Sequence, residues 1–468
     1  MIEVFKSLVS DYSGAEFDVS IYWMKQNKRS HVYFNGSKEK SFRTLDQGVM
    51  LSISKNGKVF RQATSILDRN HLKNLIKHGV GQFNQLEKYF LPESSFVCHE
   101  GEIRDFSDDN KLEDNEFIQG LEKLSKKTAG YLDHIRSSLG ETVEERVLVN
   151  SRGGVFQDLK TYSQYNTDLV GEKNNITQNR SNGGVIFQGN IDDSFINRAL
   201  VEKDQLLKEL GELLDAPLCP KMTGSLLLPS DQMYIQIHES IGHPLELDRI
   251  LGDERNYAGG SFVKKEDFGS LRYGTEQMNV VFDPGQVQQP VGYKFDDTGK
   301  KAETEFLIKD GILVAGIGGA ESQRRSNVLG TASTRVSNWN RPPIDRMGNI
   351  NLLAGSSPYM EMVKAIENGV LMKTNRSWSI DDQRDKFQFG CEIGYLIRDG
   401  EIKNVVRAPN YEGRTVPFWN SLEMVGDQDS VNDFGTSQCG KGEPNQAVRV
   451  GHQSPACLFS NISIFPGE

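Results

Sequence analysis

His238-Glu239-Ser240-Ile241-Gly242-His243, followed by Pro244-Leu245-Glu246-Leu247-Asp248, sets two imidazoles around a carboxylate with two more carboxylates behind. Zinc hydrolases use these groups: neutral imidazoles hold the metal, and a nearby glutamate takes a proton from metal-bound water. The commoner H-E-x-x-H spacing puts both histidines on one helix face. Here they are five apart, roughly 140° around a regular helix of about 3.6 residues per turn, so the rings diverge unless the helix changes. Gly242 tolerates unusual dihedrals, and Pro244 disfavours the α conformation at His243. The stretch therefore predicts a helix ending near Gly242, with His243 turned back toward the metal. Histidines this close also occur as core or capping residues. The flanking pattern favours a buried scaffold helix: Ser230 after Pro229 is a candidate N-cap, and Met233, Ile237 and Ile241 recur every four residues as an apolar face.

A catalytic zinc takes three protein ligands and keeps one position open. The motif supplies His238 and His243; composition leaves the third open among Cys, His, Asp and Glu. Glu239 is the candidate general base. Glu246 and Asp248 are candidates for orienting the imidazole protons from behind, or else solvate a helix surface. Cys98-His99-Glu100 has ligand-type residues, but adjacent side chains do not converge without a second segment, so an ordinary loop or strand end is the reading there. His452 is a candidate contact to the oxyanion.

Around this stretch the chain alternates between strand and helix patterns. Residues 15–65 alternate with period two, with hairpin signals at Asn35-Gly36 and Asn56-Gly57. Residues 69–90 carry apolar side chains at helical spacing, from Leu72 to Phe90. Residues 109–138 read as a charged helix with Leu112, Phe117, Leu121, Leu124 and Ile135, residues 145–190 as polar strands, and residues 195–214 as a second helix. After Leu226 the motif helix is followed mostly by strands and turns. The predicted class is α+β: an N-terminal antiparallel sheet with helices (1–104), a glycine-punctuated middle region (105–222), and a β-rich C-terminal domain (223–468) carrying the motif helix.

The 468 residues exceed one ordinary core. No run of 18 apolar residues is present, and the N-terminus lacks the regions of a signal peptide, so the expectation is a cytoplasmic protein with no membrane span. Five scattered cysteines argue against a disulfide framework. A net charge of −10, from 54 basic and 64 acidic residues, argues against direct nucleic-acid binding. No P-loop, nucleophile elbow or dinucleotide fingerprint is found.

The run His238–Asp248 resembles the H-E-x-x-G-H-x-x-E-x-D signature of the TldD/PmbA metallopeptidases, with Pro244 and Leu247 departing from the small residues frequent there. Asp296-Asp297-Thr298-Gly299, Leu307-Ile308-Lys309-Asp310-Gly311, Gly394-Tyr395-Leu396-Ile397 and Gly435-Thr436-Ser437-Gln438-Cys439-Gly440-Lys441 resemble further family blocks, in the family's order. The resemblance implies Cys439 as the third ligand, leaving Cys391 and Cys457 as buried strand residues. It implies one zinc per active subunit. It also implies peptides or unfolded polypeptide segments as substrate, and a dimer, either with itself or with a homologue lacking the motif. Two alternatives stand beside the peptidase: an amidohydrolase acting on small molecules, and a non-enzymatic interaction protein of the kind labelled modulators of DNA gyrase.

Overall fold

The computed structural model describes residues 1–55, 58–86, 104–105, 114–286 and 289–467. Cys98-His99-Glu100 and the Asn56-Gly57 turn lie outside the described residues. The predicted α+β class is what folds. The N-terminal half is built on an eight-stranded sheet. Its long strands lie in the spatial order Lys58–Thr64, Ser37–Lys55, Asp18–Phe34, Leu132–Asn150, Val155–Lys173. Asn35 and Gly36 have φ of 50° and 79° and join Phe34 to its partner Ser37, the two-residue connection that Asn-Gly favours. Strands from both sides of residue 104 belong to this one sheet.

One face of the sheet is apolar. Val19, Ile21, Val49, Leu51 and Val147 pack on Phe5, Leu8, Leu72 and Ile76 of helices Ile2–Ser10 and Arg69–Leu86. Further along, Tyr33, Leu139 and Tyr165 pack on helices Asp114–Leu124 and Asp193–Asp215. The latter starts at Asp192, whose carboxylate accepts from the Phe195 amide at 2.7 Å. The expected helix over 109–138 is corrected here: it stops at Leu124, and Ile135 lies in strand Leu132–Asn150. Ile135 and Leu139 are four apart, a spacing that one face of a helix and one face of a strand share. Pairing of residues 136–150 with residues 20–34, and of Ile135 with Leu169, decides for the strand.

The C-terminal half closes five strands into a barrel. Asn368–Ile380 pairs Met222–Leu228, then Cys457–Pro466, Pro409–Arg414 and Lys386–Arg398 follow, and the last pairs back onto Asn368–Ile380. Closure leaves no free edge within the ring. The motif helix, Ser230–Ile237, leaves Met222–Leu228 through Pro229. Met233, Ile237 and Ile241 enter the C-terminal core with Val370, Met372, Phe389 and Tyr411. Two glutamines on the same helix are fully buried, and one phenol bonds both: Gln232 donates to Tyr411 and Tyr411 donates to Gln236, each at 3.0 Å. Ser230 is not the N-cap. It is the first helical residue, and its hydroxyl donates to Ser454 O at 2.6 Å, tying the helix start to the end of strand Gln446–Ser454. Among the described residues no helix is long and apolar enough to cross a membrane, which says nothing of β-barrel membrane proteins.

Candidate metal centre

After Ile237 the helix widens. Residues His238–Gly242 form a π-helical turn in which the His243 amide donates to His238 O, five residues back. This is how a five-residue spacing is reconciled with one site: the wider turn brings the two rings to 4.8 Å between centroids at 89°. This is not the helix end that Gly242 and Pro244 predict. Gly242 keeps ordinary right-handed dihedrals (φ −56°, ψ −70°), and so does His243 (φ −61°, ψ −43°), despite Pro244. What requires glycine at 242 is space, since a Cβ would stand 2.1 Å from Met347 Sδ.

His238, His243 and Cys439 converge, with their ligand-type atoms all within 4.8 Å of one another, and all three are buried. Cys439 lies on strand Asn432–Lys441, paired in a hairpin with Gln446–Ser454. Cys391 and Cys457 are buried in barrel strands outside this group.

The imidazole tautomers follow from their second contacts. His452 Nδ1 lies 3.2 Å from Ile350 O. A carbonyl oxygen only accepts, so Nδ1 carries the proton and His452 Nε2 presents a lone pair. That lone pair lies 2.9 Å from His238 Nδ1, so His238 donates there and keeps its Nε2 lone pair for the centre. On the other side, His243 Nδ1 donates to Glu246 Oε2 at 2.9 Å, and its Nε2 faces Cys439 Sγ at 3.7 Å. Burial lowers the affinity of all three imidazoles for an extra proton, most strongly at His452, where His238 adds to the effect. Burial pushes the Cys439 thiol up, but the Arg346 guanidinium and His243 outweigh it, so the net shift favours the thiolate. Two neutral imidazoles and a thiolate-prone cysteine are a ligand set that fits zinc.

The carboxylates behind the motif are core residues, not a solvated helix face: Glu246 is 0% and Asp248 6% exposed. Only Glu246 contacts an imidazole. Asp248 instead bonds Lys441 Nζ at 2.5 Å, and Lys441 also donates to Asp345 O at 2.6 Å and lies 3.4 Å from Glu246. Burial opposes charge on Glu246, yet Lys441 and His243 hold its carboxyl well below the usual range. Nearby, burial and the Asp248 charge push Asp345 up to about 8. The His452 expectation is corrected likewise: it is fully buried behind His238 and sets that ring's orientation.

Glu239 is 5% exposed, and its Oε2 is bonded by Arg384. No sequence motif marks Arg384. It stands in the turn between barrel strands Asn368–Ile380 and Lys386–Arg398 with φ of 62°. Its carbonyl accepts from Thr415 Oγ1 at 2.8 Å, and the neighbouring carbonyls of Asp382 and Gln383 accept from the Gly260 and Phe262 amides. Asp381-Asp382-Gln383-Arg384-Asp385 reads only as a turn, and Lys441 only as the end of a resembling block.

The PmbA/TldA metallopeptidase C-terminal domain model matches residues 223–465. A metalloprotease of Methanocaldococcus jannaschii is 26% identical over 333 residues, 71% of this chain and 70% of that protein. The metalloprotease TldD homolog of Haemophilus influenzae is 26% identical over 357 residues, 73% of this chain and 70% of its own. The zinc metalloprotease TldD homolog of Saccharolobus solfataricus is 22% identical over 434 residues, 90% of each chain. In fold the chain is similar to the crystal structure of TldE from Thermococcus kodakarensis, with TM-score 0.74 and 13% identity over 99% of this chain and 100% of that one. It is also similar to a Thermotoga maritima protein labelled a modulator of DNA gyrase, with TM-score 0.79 and 15% identity over 99% and 100%.

Proposed function

The chain belongs to the PmbA/TldD family of metallopeptidases, and from that premise we propose that it is a zinc-dependent peptidase hydrolysing peptides or unfolded polypeptide segments. The observation that carries the reading is the convergence of His238, His243 and Cys439, with Glu239 next to His238 on the π-helical turn. His238 and His243 would hold the ion through Nε2, and Cys439 through Sγ. A bound zinc supplies Lewis acidity toward a carbonyl oxygen and acidifies water. Glu239 accepts the proton of the attacking water and passes it to the leaving amine. Arg384 on Oε2 fixes the orientation of that carboxylate. His452 and Glu246 each take one imidazole Nδ1 proton, leaving both Nε2 lone pairs available. The near-complete burial of these side chains excludes bulk water from the proton transfer.

The same reading has a cytoplasmic enzyme working as a two-fold dimer, with itself or with a homologue lacking the motif. The test joins two measurements on purified protein: metal content, and cleavage of unfolded casein. One zinc per active subunit and casein cleavage abolished by a chelator support it. A metal-free protein that leaves casein and small-molecule amides intact rejects it.

A further inference from the structure

The face of the N-terminal sheet opposite the helices is polar where the strands are longest. Alternate residues of paired strands share a face, and the register lines them up in rows. Gln26 pairs Glu144, which pairs Lys160; Lys28 pairs Thr142, which pairs Tyr162. This face is not solvated as an ordinary polar face would be: Gln26, Glu144, Arg146 and Lys160 are between 1% and 7% exposed. It forms the floor of a cavity of about 500 Å³. The roof comes from the C-terminal half and includes Arg335, Arg449, and Ser437 and Gln438 of the strand that bears Cys439.

The whole chain is acidic, at −10, yet in this cavity Lys28, Arg29, Arg146, Lys160, Arg335 and Arg449 outnumber the lining carboxylates Glu141, Glu144 and Asp297. Four of the six have carboxylate partners. Arg29 pairs Glu141, Arg146 pairs Asp158 and Asp297, Lys160 pairs Asp158, and Arg449 lies 3.5 Å from Glu144 while stacking on Tyr162 at 4.1 Å. Among the described residues Arg335 has no carboxylate partner: it donates to the carbonyls of Met347 and Arg449 and lies over the Tyr293 ring. Lys28 has no ion pair among the described residues; burial and the Arg449 charge press its ammonium toward the neutral form, against the Glu144 and Asp46 carboxylates. Neither carboxylate makes an ion pair with Lys28, so a ligand anion in direct contact adds compensation that this half-buried cation lacks.

We propose that this cavity binds a carboxylate of the peptide substrate, either its C-terminus or an acidic side chain, through Lys28 and Arg449. The identity of the ligand rests on the peptidase reading; the anion preference rests on the cavity alone. With more cations than carboxylates in its lining, the cavity selects a carboxylate over an amide of the same shape.

Calorimetric titration of the Glu239→Gln chain, which binds without turnover, tests this with acetyl-Gly-Gly-Phe-Gly-Gly as free acid, as amide, and as the amide with glutamate in the last position. At least one carboxylate-bearing peptide is expected to bind about tenfold more tightly than the neutral amide, as a charged hydrogen bond allows. That preference is expected to vanish in Lys28→Glu and to be largely kept in Lys28→Arg. Preference for the free acid alone identifies the C-terminus as the ligand, and preference for the glutamate amide alone identifies a side chain. Equal affinities for all three, or a preference that survives Lys28→Glu, overturns the proposal, as does inorganic phosphate binding in place of every carboxylate peptide. Because no cleavage is read, failure of the peptidase reading shows separately, as loss of casein cleavage by the unaltered chain.

Discussion

Glu239 and Cys439 carry opposite kinds of commitment in the proposed centre: one moves a proton, the other holds a charge in place. If Glu239 is the base and not a ligand, Glu239→Gln keeps stoichiometric zinc and loses turnover by about 10²–10⁴-fold. Metal analysis and casein cleavage on the same preparation check this, and a variant cleaving at the unaltered rate removes Glu239 from the mechanism. Cys439 is a ligand candidate far along the chain from His238, joined to it only by folding. Its thiolate form is favoured by Arg346 and His243 against burial, and a thiolate donates strongly to zinc. Cys439→Ala is therefore expected to lower zinc affinity sharply and abolish cleavage. Cys391→Ala and Cys457→Ala, in barrel strands, leave metal content unchanged. In the cobalt-substituted protein a thiolate-to-metal charge-transfer band should be present and vanish in Cys439→Ala; its survival would mean that another cysteine is the ligand.

The His238–Gly242 turn shows what one element reveals in sequence and what it hides. The period-four repeat of Met233, Ile237 and Ile241 is a local signal, and it does mark the apolar face that enters the core. The Asn35-Gly36 hairpin is legible for the same reason, since the turn needs two positive φ values that these residues supply cheaply. The π turn is not local. It is packed under Met347, from a distant segment, and the His452 that orients His238 arrives on a late strand. Arg384 reaches Glu239 from a hairpin tip whose residues signal only a turn. Residue types in a motif can be read singly; the partners that tune them are chosen by the fold. Gly242→Ala probes this element. Its Cβ would meet Met347 Sδ at 2.1 Å in a buried contact, and such overpacking costs about 1–3 kcal/mol. Urea denaturation should show that loss, and zinc should leave the variant faster on addition of a chelator, because relieving the clash moves the turn that spaces the two imidazoles. Unchanged stability and zinc retention would mean that Met347 yields freely and the turn is not set by this contact.

At the scale of the whole molecule, the proposed two-fold dimer is the first claim to check: light scattering should give twice the 52.5 kDa of the chain, and a fully active 52.5 kDa particle at micromolar concentration would refute it. Within one chain, the two halves are joined by a buried ion cluster. Arg180, on strand Ile176–Ser181, bonds Glu209 of helix Asp193–Asp215 and Glu392 of barrel strand Lys386–Arg398, and all three are 2–4% exposed at the side chain. Burial opposes the Glu209 charge, but Arg180 and Lys373 hold its pKa down to about 2, so its contribution to stability is complete above the ordinary 4.5 and is lost only as pH falls toward 2. Glu392 has the opposite sign. Burial outweighs Arg180 and pushes it up to about 6, so the fold favours its protonated form, and its contribution is complete below 4.5 and is lost as pH rises through 6. Arg180→Leu removes the shared cation and leaves Glu209 with Lys373, at 2.9 Å, and Glu392 with the Ser181 hydroxyl and amide. Uncompensated buried charge is expected to cost about 3–5 kcal/mol in urea denaturation at pH 8. At pH 5 the freed carboxyls, whose burial now acts unopposed by Arg180, take up protons in the folded state, and the loss should shrink. An equal loss at both pH values would mean that Arg180 joins the two halves by packing and not by charge.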